Sequence, residues 1–169
     1  MKQVRKVKRM KDKDIHSASI EILKKYIIGE FTLLAFTHSH EIYAIRDKIK
    51  ADSDIKNQRY SFFDEAYKYT CREYCDAITR IMSKMSVYPF KSHAEIELFK
   101  QAFLRYSGEK RDFYIGKTKD IGCKAFSKNS DTDKTIETVV EYALINAEAE
   151  IEMGIQLIID KFETKEALI

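Results

Sequence analysis

The sequence predicts an all-α fold: an antiparallel four-helix bundle with three long helices, one shorter helix and an ordered loop at about 109–130. Three observations carry that expectation. Apolar residues recur at alternating steps of three and four over most of the chain, the period of a helix with one buried face. One proline and five glycines in 169 residues are too few turn formers for a sandwich or barrel of short strands. A hydrophobic share of 44% suffices for one good core at this length. The domain organisation that follows is a basic arm over residues 1–13, expected to be mobile, and a single helical-bundle domain over 14–169.

The first helix is predicted from about Ser17 to Ala51, on the stripe Ile20, Leu23, Ile27, Phe31, Leu34, Ile42, Ile45 and Ile49. Gly29 inside it costs about 1 kcal/mol relative to alanine and marks a place for a kink or break. Asp52-Ser53-Asp54 supplies a stop and an N-cap for the second helix, about Ile55 to Met85. Six aromatics between positions 60 and 74 give that helix an apolar arc wider than one neighbour needs. It is therefore either the central helix or one whose spare flank, at Phe62 and Tyr69, meets a partner. Pro89 ends the run, and Ser92-His93-Ala94-Glu95 reads as a capping box opening the third helix. That helix is predicted to stop near Ser107 with Gly108 as its C′ residue. Residues 109–130 hold Gly116, Gly122 and five lysines, and so read as a loop packed over one bundle end. The last helix is predicted from Asp131 or Asp133 to Lys165, with small residues at 143, 147 and 154 where a neighbouring backbone comes close.

Charge is unevenly spread. Lys2, Arg5, Lys6, Lys8, Arg9, Lys11 and Lys13 face only Asp12 within residues 1–13, a net of +6, so the rest of the chain nets −3 against a total of +3. Residues 136–166 carry eight acids against Lys161 and Lys165, a net of −6. A near-neutral body with a basic arm and an acidic helix differs from a uniformly basic nucleic-acid binder, and only the arm is built for anions. Its seven cations would neutralise up to seven phosphates, and Val4, Val7 and Met10 would let it extend as an amphipathic helix on binding.

Three cysteines are too few and too odd in number for a disulfide framework, which places the chain in a reducing compartment. The most apolar window, Ile20 to Phe36, is interrupted by Glu21, Lys24, Lys25 and Glu30, so neither a leader nor a membrane span is expected. The expected location is cytoplasmic.

Catalytic candidates are few. Ile115-Gly116-Lys117-Thr118 matches the end of a phosphate-binding loop, but Arg111 stands where the first glycine is needed. No histidine has a glutamate three residues before it, so His38 reads as a core histidine satisfied by a tyrosine or carboxylate. Cys71 and Cys75 read as buried free thiols. Glu73 and Asp76 form an E-x-x-D pair, and a turn near residue 53 would bring Glu30 opposite Asp76. That trio resembles the Mg²⁺ site of helical nucleotide pyrophosphohydrolases, whose motif is E-E-x-x-E followed by E-x-x-D; here Leu33 replaces the second acid. The stretch Arg46-Asp47 to Asp52 resembles the arginine-to-histidine motif of HEPN-domain ribonucleases, which are also helical bundles. Asp52 holds the histidine position, which implies a binding rather than a cleaving member.

The function the sequence favours is a non-enzymatic binding or interaction protein, an accessory protein of the kind found in phages, mobile elements or host defence. Its partners would be nucleic acid or an anionic protein surface, met through the basic arm, and a second copy of the chain met through the aromatic flank. No catalytic residue, metal ligand, cofactor or membrane contact is assigned. The alternative is an enzyme, either a HEPN-like ribonuclease or a Mg²⁺-dependent nucleotide pyrophosphohydrolase using Glu30, Glu73 and Asp76.

Overall fold

The structure, a computed structural model, describes residue 21, residues 23–127 and residues 130–168. A π-helical turn, Leu23–Ile28, runs directly into α1, Gly29–Ala51. It is followed by α2, Gln58–Met85, α3, His93–Ala125, and α4, Ser130–Ala167. The fold is an all-α helical bundle, with no strand among the described residues. The break anticipated at Gly29 takes the form of a change from π to α winding. The basic arm at residues 1–13 lies outside the described residues.

Two boundaries differ from the expectation. The N-cap of α2 is Asn57, whose side chain accepts from the Tyr60 N–H at 3.0 Å, rather than a member of the Asp52-Ser53-Asp54 cluster. Asp52 closes α1 instead: its carboxylate accepts from the Asp54 N–H, and the Gln58 amide donates to the Ile49 carbonyl. The larger correction concerns residues 109–125, which are helix and not loop. Ser92 caps α3 as predicted, accepting from the Glu95 N–H at 3.2 Å, while the Glu95 carboxylate takes the Lys91 N–H. The helix then runs through Gly108 and Gly116, because Tyr114, Thr118, Ile121 and Gly122 continue the buried stripe of Ile96, Phe99, Phe103 and Ser107. Burial of those side chains outweighs about 1 kcal/mol per interior glycine. The helix expected to be short is 33 residues long.

Side-chain pairs fix the relative directions. Glu30 meets Arg80 and Lys84 while Lys48 meets Glu65, so α1 and α2 run in opposite senses. Tyr74 reaches the Ser107 carbonyl and Arg59 the Phe126 carbonyl, so α2 and α3 do the same. Helix α2 packs against all three others, whereas α1 and α4 make no contact among the described residues. It is the central helix, and that is where its wide apolar arc is spent.

The core has two apolar parts. One gathers Ile27, Phe31 and Leu34 with Ile78, Ile81, Phe99, Phe103 and the α4 residues Ile151, Ile155 and Ile158. The other gathers Ile42, Ile45 and Ile49 with Phe62, Phe63, Tyr67 and Ile121. A single polar layer lies between them in sequence on three helices at once: His38, Thr70 and Thr118, all buried. Two glycines allow close approach. A Cβ at Gly122 would lie 2.5 Å from the Phe63 ring, and one at Gly154 2.8 Å from Met82.

Candidate nucleic-acid interface on α1 and α3

Helical winding of residues 109–125 turns an apparently irregular lysine-rich segment into an ordered edge. Lys110, Phe113, Lys117 and Lys124 recur at steps of three, four and seven, so they share the flank of α3 that faces α1. Phe113 is 53% exposed, with the Lys110 ammonium 5.7 Å from its ring centre and the Lys117 ammonium at the same distance. Lys110 also stands 5.5 Å over the Tyr106 ring. Across from them, α1 presents Tyr43, 43% exposed, under the Arg46 guanidinium at 4.7 Å. Lys50 lies 5.9 Å over Phe126, and the hydrogen bond and charge of Asp120 raise the Lys124 ammonium, with Tyr43 near enough to add a smaller effect.

Two of these five cations have carboxylate partners, Arg46 with Asp47 and Lys124 with Asp120. Lys50, Lys110 and Lys117 make no ion pair among the described residues and rest against rings instead. Phe126 is buried and Tyr106 half-buried, so the exposed rings here are Phe113 and Tyr43. Cations beside exposed rings are groups that can hold phosphates, and such rings are surfaces on which bases can stack.

Sequence reasoning misses this face because Gly108 suits a C′ position and Gly116, Gly122 and five lysines suit a loop. The signal was present, since the helical period of Lys110, Phe113 and Lys117 continues that of Ile96, Phe99 and Phe103. The residues that were singled out fall elsewhere. Lys2, Arg5, Lys6, Lys8, Arg9, Lys11 and Lys13 lie outside the described residues. Phe62 is fully buried against Phe63 and Phe126, so it belongs to the core and offers nothing to a partner. Tyr69 is half-buried on the α1 side, near the His38 ring and under Arg72.

The carboxylate trio Glu30, Glu73 and Asp76 is not assembled as a metal-holding group. Glu30 lies one turn away from the predicted register, opposite Arg80 (2.7 Å) and Lys84 (2.5 Å) rather than Asp76. Burial pushes its carboxyl up, but the hydrogen bonds from Lys84 and Arg80 outweigh that and hold it below the ordinary value. Glu73 lies beside Arg72, and no three acids, histidines or cysteines gather in a metal-holding group among the described residues. Burial, with Cys75 nearby, pushes the Cys71 thiol up to about 11, and Cys75 is raised too, so neither is a ready nucleophile.

His38 is a core histidine, but its partners are threonines rather than a tyrosine or carboxylate. Nε2 lies 3.0 Å from Thr70 Oγ1 and 3.3 Å from Thr118 Oγ1. Each hydroxyl has a carbonyl four residues back within reach, Ala66 at 2.8 Å and Tyr114 at 2.9 Å. The two hydroxyls also lie 3.1 Å apart. A ring proton on Nε2 has both as acceptors and leaves only the buried Nδ1 lone pair, rather than an N–H, without a partner. Burial, seconded by the positive charge of Lys117, pushes the imidazole down to about 4.

Comparison with protein-family models, with curated proteins and with solved structures finds no match to this chain. No helix among the described residues is long and apolar enough to cross a membrane.

Proposed function

We propose that this chain is a non-enzymatic binding protein that contacts single-stranded nucleic acid through the α1/α3 face. The observation that carries the reading is the Lys110, Phe113, Lys117 cluster: an exposed ring between two cations that no carboxylate neutralises. Phosphate contacts of this kind position a strand without reading its sequence, so the binding is expected to be sequence-tolerant.

The test is anisotropy of a labelled single-stranded oligonucleotide at several salt concentrations. The slope of log affinity against log salt should be roughly −0.7 per phosphate neutralised. Lys110→Gln with Lys117→Gln should make it shallower by about 1.4. Phe113→Ala should weaken binding about fivefold to a hundredfold and leave the slope unchanged, because a stacked base is lost and no charge is. Affinity and slope unaltered in the double variant would remove this face from the reading.

A further inference from the structure

Helix α4 carries two apolar faces, and the bundle covers one. Ala147, Ile151, Ile155 and Ile158 are buried against α2 and α3. Round the helix on the opposite side, Tyr142, Ile145, Met153 and Leu157 are 71%, 62%, 61% and 66% exposed, with Val139 at one end of the row. From Val139 to Leu157 the row is about 27 Å long at 1.5 Å per residue. Glu141 and Glu152 run along one edge and Glu150 along the other, all exposed and without an ion pair among the described residues. A long apolar row edged with unneutralised acids is unfavourable for meeting its own like from a second copy. It is complementary to a basic segment with apolar residues of its own.

We propose that residues 1–13 of this same chain dock along the outward face of α4, Val4, Val7 and Met10 lying on the apolar row and the flanking lysines and arginines meeting its acids. Charge favours it, a net of +6 in residues 1–13 against −6 in residues 136–166. So does the position from which the segment departs. Burial pushes the Tyr88 phenol up, and the charges of Glu95 and Glu21 are near enough to add to it; Tyr88, Phe90, Ile158 and Phe162 line one cleft. Leu157 is about one turn from there, so residues 14–20, which span up to about 23 Å, can deliver the segment to the row. Thirteen helical residues cover about 20 Å of it.

The full chain carrying a benzophenone side chain in place of Val7 is irradiated, and the cross-linked peptides are mapped. The expected product has the mass of one chain and links position 7 to residues 139–157. Its yield should fall about tenfold in Tyr142→Ser/Met153→Ser/Leu157→Ser and comparably in Glu141→Lys/Glu150→Lys/Glu152→Lys, each checked for unchanged helix content. The second set tests the electrostatic half even where the first disturbs packing. A product of twice the mass would overturn docking within one chain and give the face to a second copy. Links to other helices, no link at all, or yields unmoved in both variants would overturn it outright. None of these outcomes depends on oligonucleotide binding by the α1/α3 face.

Discussion

The buried His38 makes the stability of this protein depend on pH as acidity passes through the histidine range. The ring is 1% exposed, its Nε2–H is shared between two threonine oxygens, and Nδ1 has no acceptor nearby for a second proton. In the unfolded chain the imidazole titrates near 6.5, whereas in the fold burial and Lys117 push it down to about 4. The unfolded state therefore takes up a proton first as pH falls. The stabilisation is fully present above pH 6.5 and is lost progressively towards pH 4. At about 1.4 kcal/mol per pH unit the whole loss is about 3 kcal/mol, a large part of the stability of an ordinary domain. Burial raises the Glu30 carboxyl, but Lys84 and Arg80 hold it below its ordinary value, so its contribution fades as pH falls through the carboxylate range. Comparison with a His38 variant between pH 6.5 and 4.5 therefore isolates the histidine. Urea unfolding of the wild type and His38→Gln across that interval measures it. The wild type should lose about 1.4 kcal/mol per pH unit more than the variant, whatever offset the substitution itself causes. Parallel curves for the two proteins would refute the reasoning.

The same node gives a spectroscopic outcome: Lys117→Gln removes the positive charge that opposes protonation, so the His38 imidazole should titrate at higher pH by NMR. Gly108→Ala and Gly116→Ala meet open space, and each should raise stability by up to about 1 kcal/mol in thermal or urea unfolding. Gly122→Ala places a methyl within 2.7 Å of both Phe62 and Phe63, and should destabilise by about 1–3 kcal/mol in the same assay.

Most of the bundle was legible because helices announce themselves by period. Ile27, Phe31, Leu34, Ile42, Ile45 and Ile49 are all buried on one face of the first helical run. The wide aromatic arc of α2 correctly allowed for a central helix. What sequence could not separate was which of two physical options a residue takes. Gly108 suits a C′ position, yet it also survives inside a helix whose later residues find a core. Phe62 looks surplus when α2 is given one partner, and becomes necessary once α2 has three. Register was the finest failure. An assumed turn centred near residue 53 set Glu30 against Asp76, and capping by Asn57 lengthened the connection so that Glu30 reached Arg80 and Lys84. An ion pair thus stands where a metal site was considered.

That polar layer also connects the core to the proposed binding face. An apolar core tolerates a helix sliding by one turn, because one isoleucine can replace another, whereas a buried imidazole and two hydroxyls have few places to go. Slipping α1 by a turn along α3 would leave the buried Nε2–H without its two threonine acceptors, at about 1–3 kcal/mol. The same slip would carry Tyr43 and Arg46 about 5–6 Å away from Lys124, breaking the continuity of cations and rings across the two helices. The register of the face is therefore held from inside, by a layer that touches no ligand. His38→Leu should then leave α1 and α3 helical while weakening oligonucleotide binding, as Tyr43→Ala should, an effect that a purely local role for His38 would not produce.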